Sequence, residues 1–264
     1  MLKAHRGTAR RLYSVSPELQ IASLPPDEDY GHFTAMQVRD GATRGLRLHL
    51  ARLDAANREL FGEPLDGSAV RERLRRELAC RTESSVRFTV RRSAGEPGSA
   101  PSTVVSIDDP VAMPVGPLRL KSATYQRPLA HIKHLASAGQ RNHRRRALDA
   151  GFDEALLTNA DGVISEGAIT NVGFLDGATV VWPDAPSLAG ITMQVIVPAL
   201  AARGVRSVRR LVRLGDVGSF DGALVTNSWG VATVGAIDDV ELPVDKAFGH
   251  TLAAAYESVP RDPI

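Results

Sequence analysis

The sequence is short of cysteine, of aromatic residues, of lysine and of net charge, and each shortage excludes something. One cysteine, Cys80, stands in 264 residues. No intrachain disulfide can form, and a zinc site of several thiolates is ruled out. Cys80 ends the run Arg-Glu-Leu-Ala-Cys, where a buried or half-buried helix position is expected. Aromatics make up 5% of the chain, so Leu, Val, Ile and Ala must build the core. The formal net charge of +2 is too small to point to a nucleic-acid partner. No run of eighteen apolar residues occurs, and no membrane-spanning helix is expected. The basic start, Met1 to Arg6, has no apolar stretch behind it, so no secretory signal is expected and the cytoplasm is the expected compartment.

What is present is an ordinary globular composition, 43% hydrophobic and 23% charged. The length suits one large domain or two modest ones. Residues 1 to 30 are poorly patterned, with breaks at Pro17, Pro25 and Pro26. An extended segment is expected over 33–38, followed by the turn pair Asp40-Gly41. Leucines near helical spacing predict a helix over 47–61, and Val70, Leu74 and Leu78 predict another over 67–79, with Ser68 as its N-cap. Strands are expected over 86–92 and 103–107, around a Gly-, Pro- and Ser-rich loop. Pro110, Pro114, Gly116 and Pro117 mark a boundary. The expected division is an N-terminal subdomain over 1–112, a linker over 113–117 and a C-terminal subdomain over 118–264. The second half predicts an extended stretch over 118–127, a helix over 136–150 ended by Gly151, and two hairpins over 155–165 and 171–182. A helix from residue 191 or 192 to about 203 follows, ended by Gly204. A last strand pair brackets Asn227 to Gly230. Strands around a few helices indicate an α+β fold of two subdomains.

Three features carry chemistry. Lys133 is one of only four lysines, and it lies in a mostly apolar stretch after an extended segment. Glu166 sits between two apolar strands, where a carboxylate needs a cationic or hydrogen-bonded partner. Gly190-Ile191-Thr192 opens a helix whose free N–H groups and dipole favour an anion. Arg52 is a candidate for a charge-assisted contact to the same anion.

The ordered set Lys133-His134-Leu135, Gly151 to Leu157, Ser165-Glu166-Gly167, Thr170-Asn171-Val172 and Gly190-Ile191-Thr192 resembles the class IV aminotransferases. That family includes branched-chain and D-amino acid aminotransferases and 4-amino-4-deoxychorismate lyase. Fainter matches are Phe33-Thr34, Val38 to Gly41 and His49 to Leu53. The resemblance implies two α/β subdomains with pyridoxal 5'-phosphate (PLP) in the cleft between them, and a homodimer as the working unit. It implies Lys133 as the Schiff-base lysine and proton shuttle, and Glu166 as the partner of the pyridine nitrogen. Arg52, Ile191 and Thr192 would hold the phosphate, with Asn171 in the same cofactor set and Asn227 and Ser228 closing the site. The substrate would be an amino acid or keto acid. The chain departs from the family pattern at Met193, where many members carry Arg, and at Ala138, where aminotransferases often carry Tyr. Lys-His-Leu and Asn-Ser lean towards the lyase branch. The alternatives to a transaminase are therefore a lyase that eliminates at the β-carbon and releases pyruvate, and a non-catalytic member that keeps the fold.

Two other readings compete. His131 and His134, three apart with His143 nearby, have zinc-like spacing, but no acidic third ligand follows. Arg141, Arg144, Arg145 and Arg146 would suit an acidic partner, yet no stacking aromatics interleave with them. Arg39, Arg87, Arg91 and Tyr30 are candidates for substrate contacts.

Overall fold

The computed structural model describes residues 30–92 and 100–264. The poorly patterned segment before residue 30 and most of the Gly-, Pro- and Ser-rich loop lie outside them. Strands β1 (Tyr30–Val38), β3 (Ser84–Arg92) and β4 (Ser102–Asp108) form an antiparallel sheet in the order β1-β3-β4. Val86, Phe88 and Val90 alternate along β3 and point one way, so they bury one face of the sheet. Against that face pack helices α1 (Leu46–Phe61) and α2 (Gly67–Leu78), through Leu53, Leu60 and the predicted row Val70, Leu74 and Leu78. The N-cap of α2 is Asp66, which accepts from the Ser68 N–H at 2.8 Å. Ser68 is already inside the helix, and the Asp66 carboxylate two residues earlier takes the capping place expected for it. Cys80 lies just past α2 and is exposed, against the burial expected for it.

The larger sheet has nine strands among the described residues. These are β5 (Leu118–Thr124), β6 (Glu154–Thr158), β7 (Ile164–Gly167), β8 (Asn171–Asp176), β9 (Thr179–Pro183), β10 (Arg206–Arg210), β11 (Gly222–Asn227), β12 (Gly230–Ile237) and β13 (Val240–Glu241). The order is β10-β9-β8-β11-β12-β5-β6-β7, with β13 on β12. Strand β6 is buried along its whole length, which accounts for its unbroken apolar run Ala155-Leu156-Leu157. Both expected hairpins form, β6 with β7 and β8 with β9. Helices α3 (Ala138–Asp149), α4 (Ile191–Ala201) and α5 (Lys246–Glu257) cover this sheet. Gly151 and Gly204 take positive φ, 81° and 80°, just beyond the ends of α3 and α4. Strand β14 (Arg261–Pro263) returns to pair with β2 (Ala42–Arg44) beside α1.

Between the two sheets runs the segment 129–135. Leu129 and Ile132 enter the apolar core of the smaller sheet. The carbonyl of Lys133 accepts from Phe33 N–H at 2.9 Å, and Leu135 N–H donates to Gly31 at 2.9 Å. The backbone of Lys133 is thus bonded to the first strand of the small sheet, while β5 and β6 of the large sheet flank its segment in the chain. The fold is α+β, and no helix among the described residues is long and apolar enough to cross a membrane.

Candidate active site

A cleft of about 220 Å³ opens where the two sheets meet. Arg52, Lys133, Glu166, Asn171, Ile191, Thr192, Asn227 and Ser228 all line it. They come from α1, the 129–135 segment, β7, β8, the start of α4 and the end of β11, so topology alone brings them together. The volume falls below the range of about 300–1,000 Å³ typical for drug-sized ligands and suits a compact molecule.

The amine of Lys133 lies 4.9 Å over the Phe33 ring, and Arg87 stacks on the same ring at 4.1 Å. Desolvation is the first cause pulling its pKa down to about 7. Arg52, Arg127 and Arg87 add to the effect and Glu166 opposes it. An ordinary lysine is nearly all protonated at neutral pH, whereas this one offers a neutral amine to a large extent.

Arg52 is half-buried on α1, the helix packed against the small sheet. Its Nη2 donates to Thr34 Oγ1 at 2.5 Å, and Thr34 in turn meets His49 Nδ1 at 2.7 Å. Burial, then Arg52 and Lys133, hold His49 well below its usual pKa, so it is neutral. Arg52 itself is lowered to about 10 by desolvation and stays charged. Its Nε is buried with no partner among the described residues, a donor suited to an anion.

Glu166 has one oxygen on Arg127 Nη1 at 2.6 Å, and the other accepts Leu188 N–H at 3.1 Å. The side chains of this ion pair are 7% and 5% exposed. The carboxylate still lines the cleft, and with about four lone-pair sites it can accept another donor. At the opposite wall, α4 begins at Gly190 with no side-chain cap, leaving its first N–H groups open. Asn171 Nδ2 donates to Leu188 O at 2.8 Å and crowds Gly190: a Cβ there would lie 1.9 Å from Asn171 Oδ1. Thr192 Oγ1 donates to Asn227 O at 2.6 Å, and Asn227 Oδ1 accepts Trp229 N–H at 2.8 Å, fixing the turn that carries Ser228.

Sequence reasoning missed Arg127, Thr34 and the part played by His49. The signal for Arg127 was the cation that a buried Glu166 demands; nothing in the spacing pointed to which arginine. Of the four candidate substrate residues, Arg39 lines the cleft, while Tyr30, Arg87 and Arg91 are not among its lining residues. Met193 is buried in the apolar cluster of Ile196, Leu200, Leu224 and Leu252, and Ala138 is exposed at the start of α3. The zinc spacing comes apart in space. His131 is exposed on Glu59, His134 is buried with Nδ1 on Ala136 N–H, and His143 stacks on Tyr125. No metal-ligating cluster of three or more His, Cys, Asp or Glu occurs among the described residues.

The residues fit a phosphorylated pyridine ring such as PLP. An orphaned buried guanidinium nitrogen and an uncapped helix start suit the phosphate, a carboxylate suits the ring nitrogen, and a depressed lysine suits the aldehyde.

Comparison with known proteins points the same way. The sequence pattern described as "Amino-transferase class IV" matches residues 31–237. A Rickettsia felis protein described as a probable branched-chain-amino-acid aminotransferase is 32% identical over 100 residues, 38% of this chain and 34% of that protein's length. The 4-amino-4-deoxychorismate lyase of Pseudomonas aeruginosa is 28% identical, with a TM-score of 0.72 over 84% of this chain and 88% of its own. A fold IV transaminase of Curtobacterium pusillum is 26% identical, with a TM-score of 0.75 over 86% of each chain.

Proposed function

Because the chain belongs to the class IV aminotransferases, a family of PLP-dependent enzymes, we propose that it binds PLP covalently through Lys133 and transfers the amino group of an amino acid to a keto acid. The observation that carries this reading is the convergence of Lys133, Glu166, Arg52 and the open start of α4 on one cleft. PLP, when bound, supplies an electron sink conjugated to the substrate amine. Arg52, Ile191 and Thr192 would hold the phosphate, and Asn171, Asn227 and Ser228 would shape that end of the cleft. Glu166 would hold a proton at the ring nitrogen. With the cofactor bound, Lys133 would take the proton from the substrate Cα and return one to complete the transfer. Its lowered pKa leaves the amine free to act as a base near neutral pH.

Release of pyruvate by elimination at the β-carbon is the second reading, favoured by the 28% identity to a 4-amino-4-deoxychorismate lyase. Lys133 would remove the same Cα proton. Location in the cytoplasm, action as a homodimer and a subdomain division at 113–117 complete the proposal. Borohydride reduction of protein incubated with PLP, followed by peptide mapping, tests it. A phosphopyridoxyl adduct on Lys133 is expected; an unmodified Lys133 contradicts it. An amino-acid screen with and without a keto acid then separates the reactions, since transfer requires the acceptor and pyruvate release does not.

A further inference from the structure

We infer that Arg127 is a positioning residue that binds the Glu166 carboxylate and the Lys133 segment into one unit, so that the two groups are aimed into the cleft together. The inference rests on the proposed function only in what it says the two groups face. Three bonds from one guanidinium carry it. Nη1 donates to Glu166 Oε1 at 2.6 Å and to Ala130 O at 3.3 Å, and Nη2 donates to Ile132 O at 2.9 Å. Ile132 immediately precedes Lys133, and Glu166 lies on β7, 39 residues away from Arg127 in the chain. Arg127 is therefore the side chain that joins a strand of the large sheet to the segment seated on the small one. A planar guanidinium meets three acceptors in fixed directions; an ammonium does not.

This placement also explains how Glu166 can be buried without dragging the site towards a single charge. Both members of the pair line the cleft, and the guanidinium also donates to the backbone carbonyls of Ala130 and Ile132. Around the Lys133 amine stand Arg52 from α1, Arg87 from β3, Arg127 and Glu166, with the neutral His49 also close enough to feel it. Within this group the Arg127 and Glu166 charges act on Lys133 with opposite signs. If Arg127 fixes Glu166, removing Arg127 alone unbalances the pair, and removing both restores the balance.

Competitive labelling of the apoprotein tests this. Lys133 is modified by reductive methylation with formaldehyde and cyanoborohydride across a pH series, and its peptide is quantified by mass spectrometry. Wild type, Arg127→Met, Arg127→Lys and the double variant Arg127→Met/Glu166→Gln are compared. Far-ultraviolet circular dichroism selects the variants that fold, and the double variant removes both members of the ion pair, so neither is left without the other. The titration midpoint of Lys133 is expected to rise by about one pH unit in Arg127→Met. It should rise less in Arg127→Lys and return close to the wild-type value in the double variant. An unchanged midpoint in folded Arg127→Lys, which keeps the charge and loses only the planar fork, would overturn the inference, because loss of the charge alone already raises the midpoint in Arg127→Met. No PLP enters the experiment. Failure of the wild-type protein to take up PLP would therefore sink the proposed function and leave this result standing.

Discussion

A lysine is costly to desolvate while charged, and that cost makes Lys133 the residue most open to test. Its pKa is lowered in the fold from 10.5 to about 7. A group with a depressed folded pKa contributes stability that is present above its unfolded value and lost as pH falls through the folded one. Wild-type apoprotein is therefore expected to lose stability from about pH 10.5 down to about pH 7, by up to about 5 kcal/mol from this group. Lys133→Met should flatten that slope in denaturant titrations; a slope identical to wild type would place the amine in water. Arg52→Gln removes a charged donor whose Nε has no partner among the described residues. PLP affinity should fall at least about tenfold, since a charged hydrogen bond is worth about 1.5–3 kcal/mol. An unchanged Kd would remove Arg52 from the phosphate site. At this scale the sequence was informative because rarity and order single out residues: only four lysines occur, and Lys133, Glu166 and Gly190-Ile191-Thr192 follow one another in a fixed order. It was silent on Arg127, because one arginine among many carries no mark of the carboxylate it will meet.

Elements were legible where one periodicity ruled. The strand β3 and the helices α1 and α2 lie where alternation and helical spacing place them, because each buries a single face. The N-cap of α2 shifted from Ser68 to Asp66, a choice between neighbouring polar side chains that local geometry decides. Strand β10 was not anticipated. It is a sheet edge of sequence Arg-Ser-Val-Arg-Arg, mostly exposed, so no apolar pattern announces it. The entry to α4 depends on space rather than pattern. Gly190 has an ordinary φ of −64°, yet a methyl group there collides with Asn171 Oδ1 at 1.9 Å. Gly190→Ala should break the Asn171 bond to Leu188 and destabilise the protein by about 1–3 kcal/mol. Thermal unfolding measures this; an unshifted Tm would show that the turn yields freely.

The whole molecule is held as two sheets meeting at a cleft, and the contacts that join them span the chain. Strand β14 pairs with β2, more than 200 residues earlier, and Asp262 accepts the Leu46 N–H at 2.9 Å. That bond supplies the cap that α1 lacks locally, since Gly45 precedes the helix without a side-chain acceptor. Asp262→Ala is expected to cost about 1 kcal/mol, the usual worth of a helix cap. A loss of that size in urea unfolding would show that the clasp helps hold the smaller sheet; no loss would show it to be incidental. Such joints are invisible to local sequence patterns because their partners lie at opposite ends of the chain. The cleft was legible all the same, through the ordered set of residues that resembles a known family.

The most direct test of the account is the absorbance spectrum of the protein after incubation with PLP and removal of the free cofactor, beside Lys133→Ala. The wild type should keep a visible band that borohydride abolishes, and the variant should have none. A band of equal strength in Lys133→Ala, or its absence from folded wild-type protein, would contradict the assignment of Lys133 as the residue that carries the cofactor.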